Sequence, residues 1–140
     1  MRRTAILLAA MCCAGAGPVG AQDQAAIPIR IELNRLEAAG SDCRATVVVE
    51  NGPVALASLK LDLVIFDGAG IVAKRIAAEL APLARGKTVV KTFPVAGLAC
   101  PDVSRVLVNE IMSCTTDAGP ATDCMDRIET ASRTPARFSK

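Results

Sequence analysis

The segment Leu59-Lys60-Leu61-Asp62-Leu63-Val64-Ile65-Phe66 sets Leu59, Leu61, Leu63 and Ile65 at every second position, with Lys60 and Asp62 between them. Side chains alternate between faces on a strand and spiral around a helix, so this period buries one face only as a β-strand. Val64 and Phe66 fall on the opposite face, so the end of this strand is either covered on both sides or presents an apolar interaction patch. Asp67-Gly68-Ala69-Gly70 follows, and its glycines supply the positive φ that a tight hairpin requires.

Similar stretches recur along the chain, separated by turn residues every eight to fifteen positions. Ile29, Ile31 and Leu33 alternate with Arg30, Glu32 and Asn34, which predicts a half-buried first strand. Ala45, Val47 and Val49 carry the second, after the turn Ala39-Gly40-Ser41-Asp42 and before Asn51-Gly52-Pro53. A fourth is expected over residues 71–80, although Ile76 to Leu80 suits one helical turn equally well. Lys87 to Val95 reads as the fifth, Val103 to Cys114 as the sixth and Met125 to Ser132 as the seventh. Such spacing favours an antiparallel sandwich over βαβ units, whose helices need longer periodic stretches. The expected fold is therefore all-β: a seven-stranded antiparallel immunoglobulin-like sandwich over residues 27–132, followed by a flexible basic tail at 133–140.

The first 21 residues have the build of a signal peptide. Arg2 and Arg3 form a positive start, Ala5 through Cys13 an apolar run, and Val19-Gly20-Ala21 a small-residue cleavage site before Gln22. Export by the general secretory or the twin-arginine route to the periplasm or beyond is the expectation. Residues 22–26 read as a disordered lead-in. Cys12 and Cys13 lack the small residue that a lipoprotein site wants before the cysteine, and the sequence leaves a lipid anchor there open.

Cleavage leaves Cys43, Cys100, Cys114 and Cys124, an even number that argues for two disulfides in an oxidising compartment. With strands alternating up and down, Cys43 and Cys100 fall at one end of the sandwich, and Cys114 and Cys124 flank a loop at the other. The expected pairing is Cys43 with Cys100 and Cys114 with Cys124, since the alternatives exceed the ~7 Å Cα limit of a disulfide.

Composition narrows the chemistry. Two of the sixteen Lys and Arg lie at Arg2 and Arg3, so the mature chain balances its fourteen Asp and Glu and gives no electrostatic reason to bind nucleic acid. There is no His, Trp or Tyr. Acid–base and nucleophilic catalysis usually rest on His, so no catalytic residue, cofactor or metal ligand is assigned. Ser58 with Lys60 is a formal Ser–Lys pair, read more simply as a strand residue beside a solvated cation. Asp117, Asp123 and Asp126 lack the ligand spacing of a calcium loop and read as a solvated loop. Arg127, Arg133, Arg137 and Lys140, interspersed with Asp126 and Glu129, read as solubilising charges rather than as a site for anionic lipid or an acidic partner.

The residues Val49-Glu50-Asn51, Leu59 through Asp67, Gly70-Ile71-Val72, and Leu83 with Gly86-Lys87-Thr88 carry a resemblance. Over about residues 29–114 the chain resembles small Ig-like modules of bacterial envelopes such as the FxLYD-type domains, with Phe66-Asp67 in place of their Tyr-Asp. It is similar, more closely, to a group of uncharacterised exported proteins of alphaproteobacteria. The resemblance implies a sandwich fold and brings no activity. The expected function is a non-enzymatic periplasmic binding or accessory module with an envelope protein as partner, using Val64 and Phe66 or an open sheet edge. The other readings are a structural protein acting as a homo-oligomer and a Ser or carboxylate enzyme.

Overall fold

The computed structural model describes residues 27–140; the expected signal peptide and the lead-in at 22–26 lie outside the described residues. The described chain is nearly all β: β1 (Ile29–Ala39), β2 (Asp42–Glu50), β3 (Ser58–Phe66), β4 (Val72–Glu79), β5 (Thr88–Val95), β6 (Arg105–Thr116), β7 (Gly119–Pro120), β8 (Ile128–Ser132) and β9 (Arg137–Ser139). One turn of 3-10 helix, Cys100–Asp102, precedes β6, and one turn of α-helix, α1 (Cys124–Arg127), precedes β8. The strands form two sheets, β5-β2-β1-β8 and β4-β3-β6-β7, with β9 also paired to β6. The segment Ile76 to Leu80, open between strand and helical turn in the sequence, lies on β4 up to Glu79.

Alternation explains which sheet face is buried. Ile29, Ile31 and Leu33 of β1, Val47 and Val49 of β2, and Leu59, Leu61, Leu63 and Ile65 of β3 all lie in one buried cluster between the sheets. A register shift at Asn34 changes the phase of β1, so Leu36 rather than Arg35 stands opposite Ala45 and packs on the core. The extra residue of such a bulge reverses the faces beyond it. What remains unfilled inside is a void of about 20 Å³ lined by apolar side chains such as Leu33, Phe93 and Phe138, room for one water at most.

Three expectations are corrected. The described chain has nine strands rather than seven, β7 and β9 being short additions, and Met125 to Arg127, expected to open the seventh strand, belong to α1. The sheets are mixed rather than antiparallel: β8 runs parallel to β1, and β9 parallel to β6. The chain beyond Ser132 is also a built part of the fold rather than a loose tail. Ala136 is 1 % exposed, Phe138 packs against the core, and the Lys140 ammonium donates to the Met125 carbonyl at 2.8 Å. The crossing is held by a local turn in which the Ser132 hydroxyl donates to the Ala136 carbonyl at 2.7 Å. Tail composition hid this, because charges outnumber the two inward side chains.

Disulfides close both ends. Cys43, at the start of β2, joins Cys100 with a Cα separation of 4.8 Å; Cys114, near the end of β6, joins Cys124 of α1 at 6.6 Å. These are the pairings the loop positions require. They close loops of 57 and 10 residues. By loop entropy alone they contribute about 4 and about 3 kcal/mol.

Replacing Cys43 and Cys100 together by Ala is expected to destabilise the oxidised protein by about 2–4 kcal/mol in urea unfolding, more than the same change at Cys114 and Cys124. Phe138→Ala is expected to cost about 2 kcal/mol in the same measurement, because it removes a side chain half-buried in the core; a solvated tail would give no change.

Candidate functional site

The outer faces of the two sheets are the surfaces on which this fold can act, and they differ in charge. On the β5-β2-β1-β8 sheet the outward positions of β1 are Arg30, Glu32 and Asn34, and those of β8 include Glu129 and Ala131. With Val48, Glu50 and Arg133 they line a shallow concavity of about 540 Å³. Its charges alternate and pair: Arg30 Nε donates to Glu129 at 3.1 Å, and Arg133 Nε to Glu32 at 2.8 Å. The Asn34 amide also donates to Glu32 at 2.8 Å; this bond and the one from Arg133 hold the Glu32 carboxyl below its ordinary value. The sequence marked the wet face of β1, but Arg133 was missed as part of it. Only the parallel run of β8 beside β1 brings the start of the tail to Glu32.

On the β4-β3-β6 sheet the outward side of β3 carries Lys60, Asp62, Val64 and Phe66, opposite the core positions Leu59 to Ile65. Asp62 is 7 % exposed. Arg75 of β4 donates to it through Nε at 3.2 Å and through Nη2, and Asn109 of β6 donates at 2.7 Å. Asn109 reaches it because β6 is bulged there: Glu110 pairs with Asp62 and Val108 with Leu63, leaving Asn109 as the extra residue. The Arg75 guanidinium, followed by the Asn109 amide, holds the Asp62 carboxyl below the usual aspartate range despite its burial.

Of Val64 and Phe66, which the sequence reads as either covered or an apolar patch, Val64 is buried and Phe66 partly so. Val64 is 6 % exposed, between its cross-strand partners Arg75 and Leu107. Phe66 is half-buried, with the Arg105 guanidinium stacked 4.0 Å from its ring centroid. Strand pairing on both sides of β3 supplies this cover, since long side chains of the flanking strands fold over the middle one. The exposed large apolar side chains include Ile71, Val90, Met112 and Val72, the last of them the cross-strand partner of Phe66.

The remaining sequence candidates fall into structural roles. Ser58 donates to Glu79 at 2.9 Å. Burial pushes the Glu79 carboxyl up, but bonds from the Leu59 and Ala81 N–H groups at 2.8 and 3.0 Å and from Ser58 outweigh it and hold it low. That set of bonds ties the start of β3 to the end of β4. Among the described residues no group of three or more His, Cys, Asp or Glu is placed to hold a metal, so Asp117, Asp123 and Asp126 are not gathered into one. Asn51, buried at the opposite end from Phe66, donates to the carbonyls of Val54, Leu83 and Ala84 and so stitches two connecting loops together. Among the described residues no helix is long and apolar enough to cross a membrane.

No family model, curated protein or solved structure matches this chain.

A carboxyl held low when folded adds stability above its unfolded value, and that stability is lost as pH falls through the folded one. Wild-type stability is therefore expected to decline below about pH 4. Asp62→Asn is expected to be less stable at neutral pH and to flatten that decline, as read by urea unfolding monitored by circular dichroism across the acid range.

Proposed function

We propose that this chain is a non-enzymatic binding or accessory module, periplasmic or secreted, whose scaffold is an Ig-like sandwich and whose partner is an envelope protein. The connectivity supports the scaffold: β1, β2 and β5 share one sheet, β3, β4 and β6 the other, and among these six strands the chain crosses between sheets after β2, β4 and β5, with further crossings after β7 and β8. Greek-key sandwiches are wired in this way. Two disulfides fit an oxidising compartment, in line with the leader read at residues 1–21. The resemblance to exported FxLYD-type modules points in the same direction.

The observation that carries the binding role is the charged concavity on the β5-β2-β1-β8 sheet. Its two ion pairs reach solvent, with side-chain exposures of 63 and 57 % for Arg30 and Glu129, and of 70 and 26 % for Arg133 and Glu32. Exposed pairs contribute at most about 1 kcal/mol, so a partner can exchange them for its own at small cost. Alternating charges on a rigid sheet give a protein partner register and a fast encounter, which is what electrostatic complementarity supplies.

The test is crosslinking in intact cells followed by mass spectrometry. A partner crosslinked to residues lining the concavity, and lost on Arg133→Glu while thermal stability shifts by less than about 0.5 kcal/mol, is the expected result. Capture of this chain alone, with a dimer in sedimentation, supports the homo-oligomer instead, and no specific neighbour overturns the binding role.

A further inference from the structure

Four adjacent strands place one row of side chains across the outer face of the β4-β3-β6 sheet: Val72 pairs with Phe66, Phe66 with Arg105, and Arg105 with Arg137. Register partners share a face. Here it is the outer one, because Ile65, Val106 and Phe138 one residue along all pack on the core. The row ends at the β3–β4 hairpin, where Ile71 is 63 % and Val72 51 % exposed.

Two features of this row call for a partner. Arg105 and Arg137 are direct cross-strand neighbours of like charge, an arrangement that destabilises a sheet unless an anion lies between them. Neither forms an ion pair among the described residues, whereas the nearby Arg75 is matched by Asp62. The one carboxylate in the hairpin, Asp67, is turned inward on its own loop and accepts from the Ala69 and Ile71 N–H groups, both at 2.9 Å. The Arg105 guanidinium also lies over the Phe66 ring, 4.0 Å from its centroid, which restrains it before any ligand arrives.

We propose that this row, with Ile71 at its end, seats the domain on an anionic phospholipid surface. The chemistry matches in both halves. Arginine forks pair with lipid phosphates, and branched apolar side chains at a hairpin tip enter the boundary between headgroups and acyl chains. A free phosphate would use the arginines and leave Ile71 and Val72 without a role, so the bilayer is the occupant that accounts for all four exposed or unpaired groups. The contact is peripheral, and it is independent of the concavity on the other sheet.

Vesicle co-sedimentation of the oxidised, leader-free protein tests this, using phosphatidylcholine vesicles with and without phosphatidylglycerol, at low and raised salt. The expected result is partition into the anionic vesicles only, reversed by salt, and reduced at least about fivefold by Arg137→Glu, since each cation near such a surface is worth about 1 kcal/mol. Arg137→Lys is expected to retain most of the binding, and Ile71→Ser to lose part of it at unchanged circular dichroism. Equal partition into both vesicles, or into neither, overturns the proposal. Binding that inorganic phosphate abolishes and that Ile71→Ser leaves unaltered overturns it in favour of a simple anion site. Because Ile71 lies on an exposed turn, its variant remains informative if Arg137→Glu fails to fold.

Discussion

Everything in this domain hangs on two apolar stripes facing each other, Ile29, Ile31 and Leu33 on one sheet and Leu59, Leu61, Leu63 and Ile65 on the other. Because strand side chains repeat every two residues, a slip of one position would put Arg30, Glu32, Lys60 and Asp62 into the core. Burying those unpaired charges costs far more than any surface contact returns. Register is thus over-determined in the middle of each sheet. Freedom remains at the bulges, and two of them, at Asn34 in β1 and Asn109 in β6, turn a polar side chain onto a carboxylate: Asn34 onto Glu32, Asn109 onto Asp62.

The outer faces inherit this rigidity and use it differently. On one sheet, opposite charges face each other across β1 and β8, so the surface is patterned but balanced. On the other, balance is confined to the buried Asp62 and its two donors, and the end of the sheet carries an uncompensated arginine pair beside exposed branched side chains. One scaffold therefore offers a polar, exchangeable face and a cationic, apolar-tipped one, and the two do not overlap.

Much of this was readable from residues alone. The alternation in β1, β2 and β3 was strong enough to fix which side chains face inward. Placing four cysteines at two ends of such a sandwich left one pairing open. The last dozen residues resisted reading for a physical reason. Ala136 and Phe138 alternate with Arg137 and Ser139 over so few positions that a period of two cannot be told from chance, and the parallel pairing of β8 and β9 depends on partners about 100 and 32 residues away. Val64 and Phe66 were legible only in part: the sequence shows which face they occupy and leaves cover and patch both open, because it does not show that Val64 pairs between Arg75 and Leu107 or that Arg105 lies over the Phe66 ring.

The late place of β8 and β9 in the strand order has a kinetic meaning. Ile29, at the start of the described fold, pairs with Ile128, and Phe138 of β9 packs on the core beside side chains of both sheets. Neither sheet can be completed from the amino-terminal side inward, because each waits for a strand from the final segment. A polypeptide delivered amino-terminus first, through a ribosome tunnel or a translocation pore, would stay incomplete until β8 and β9 had emerged. Contacts this distant in sequence also make closure slow. The architecture thus postpones its own stability until those late strands are in place.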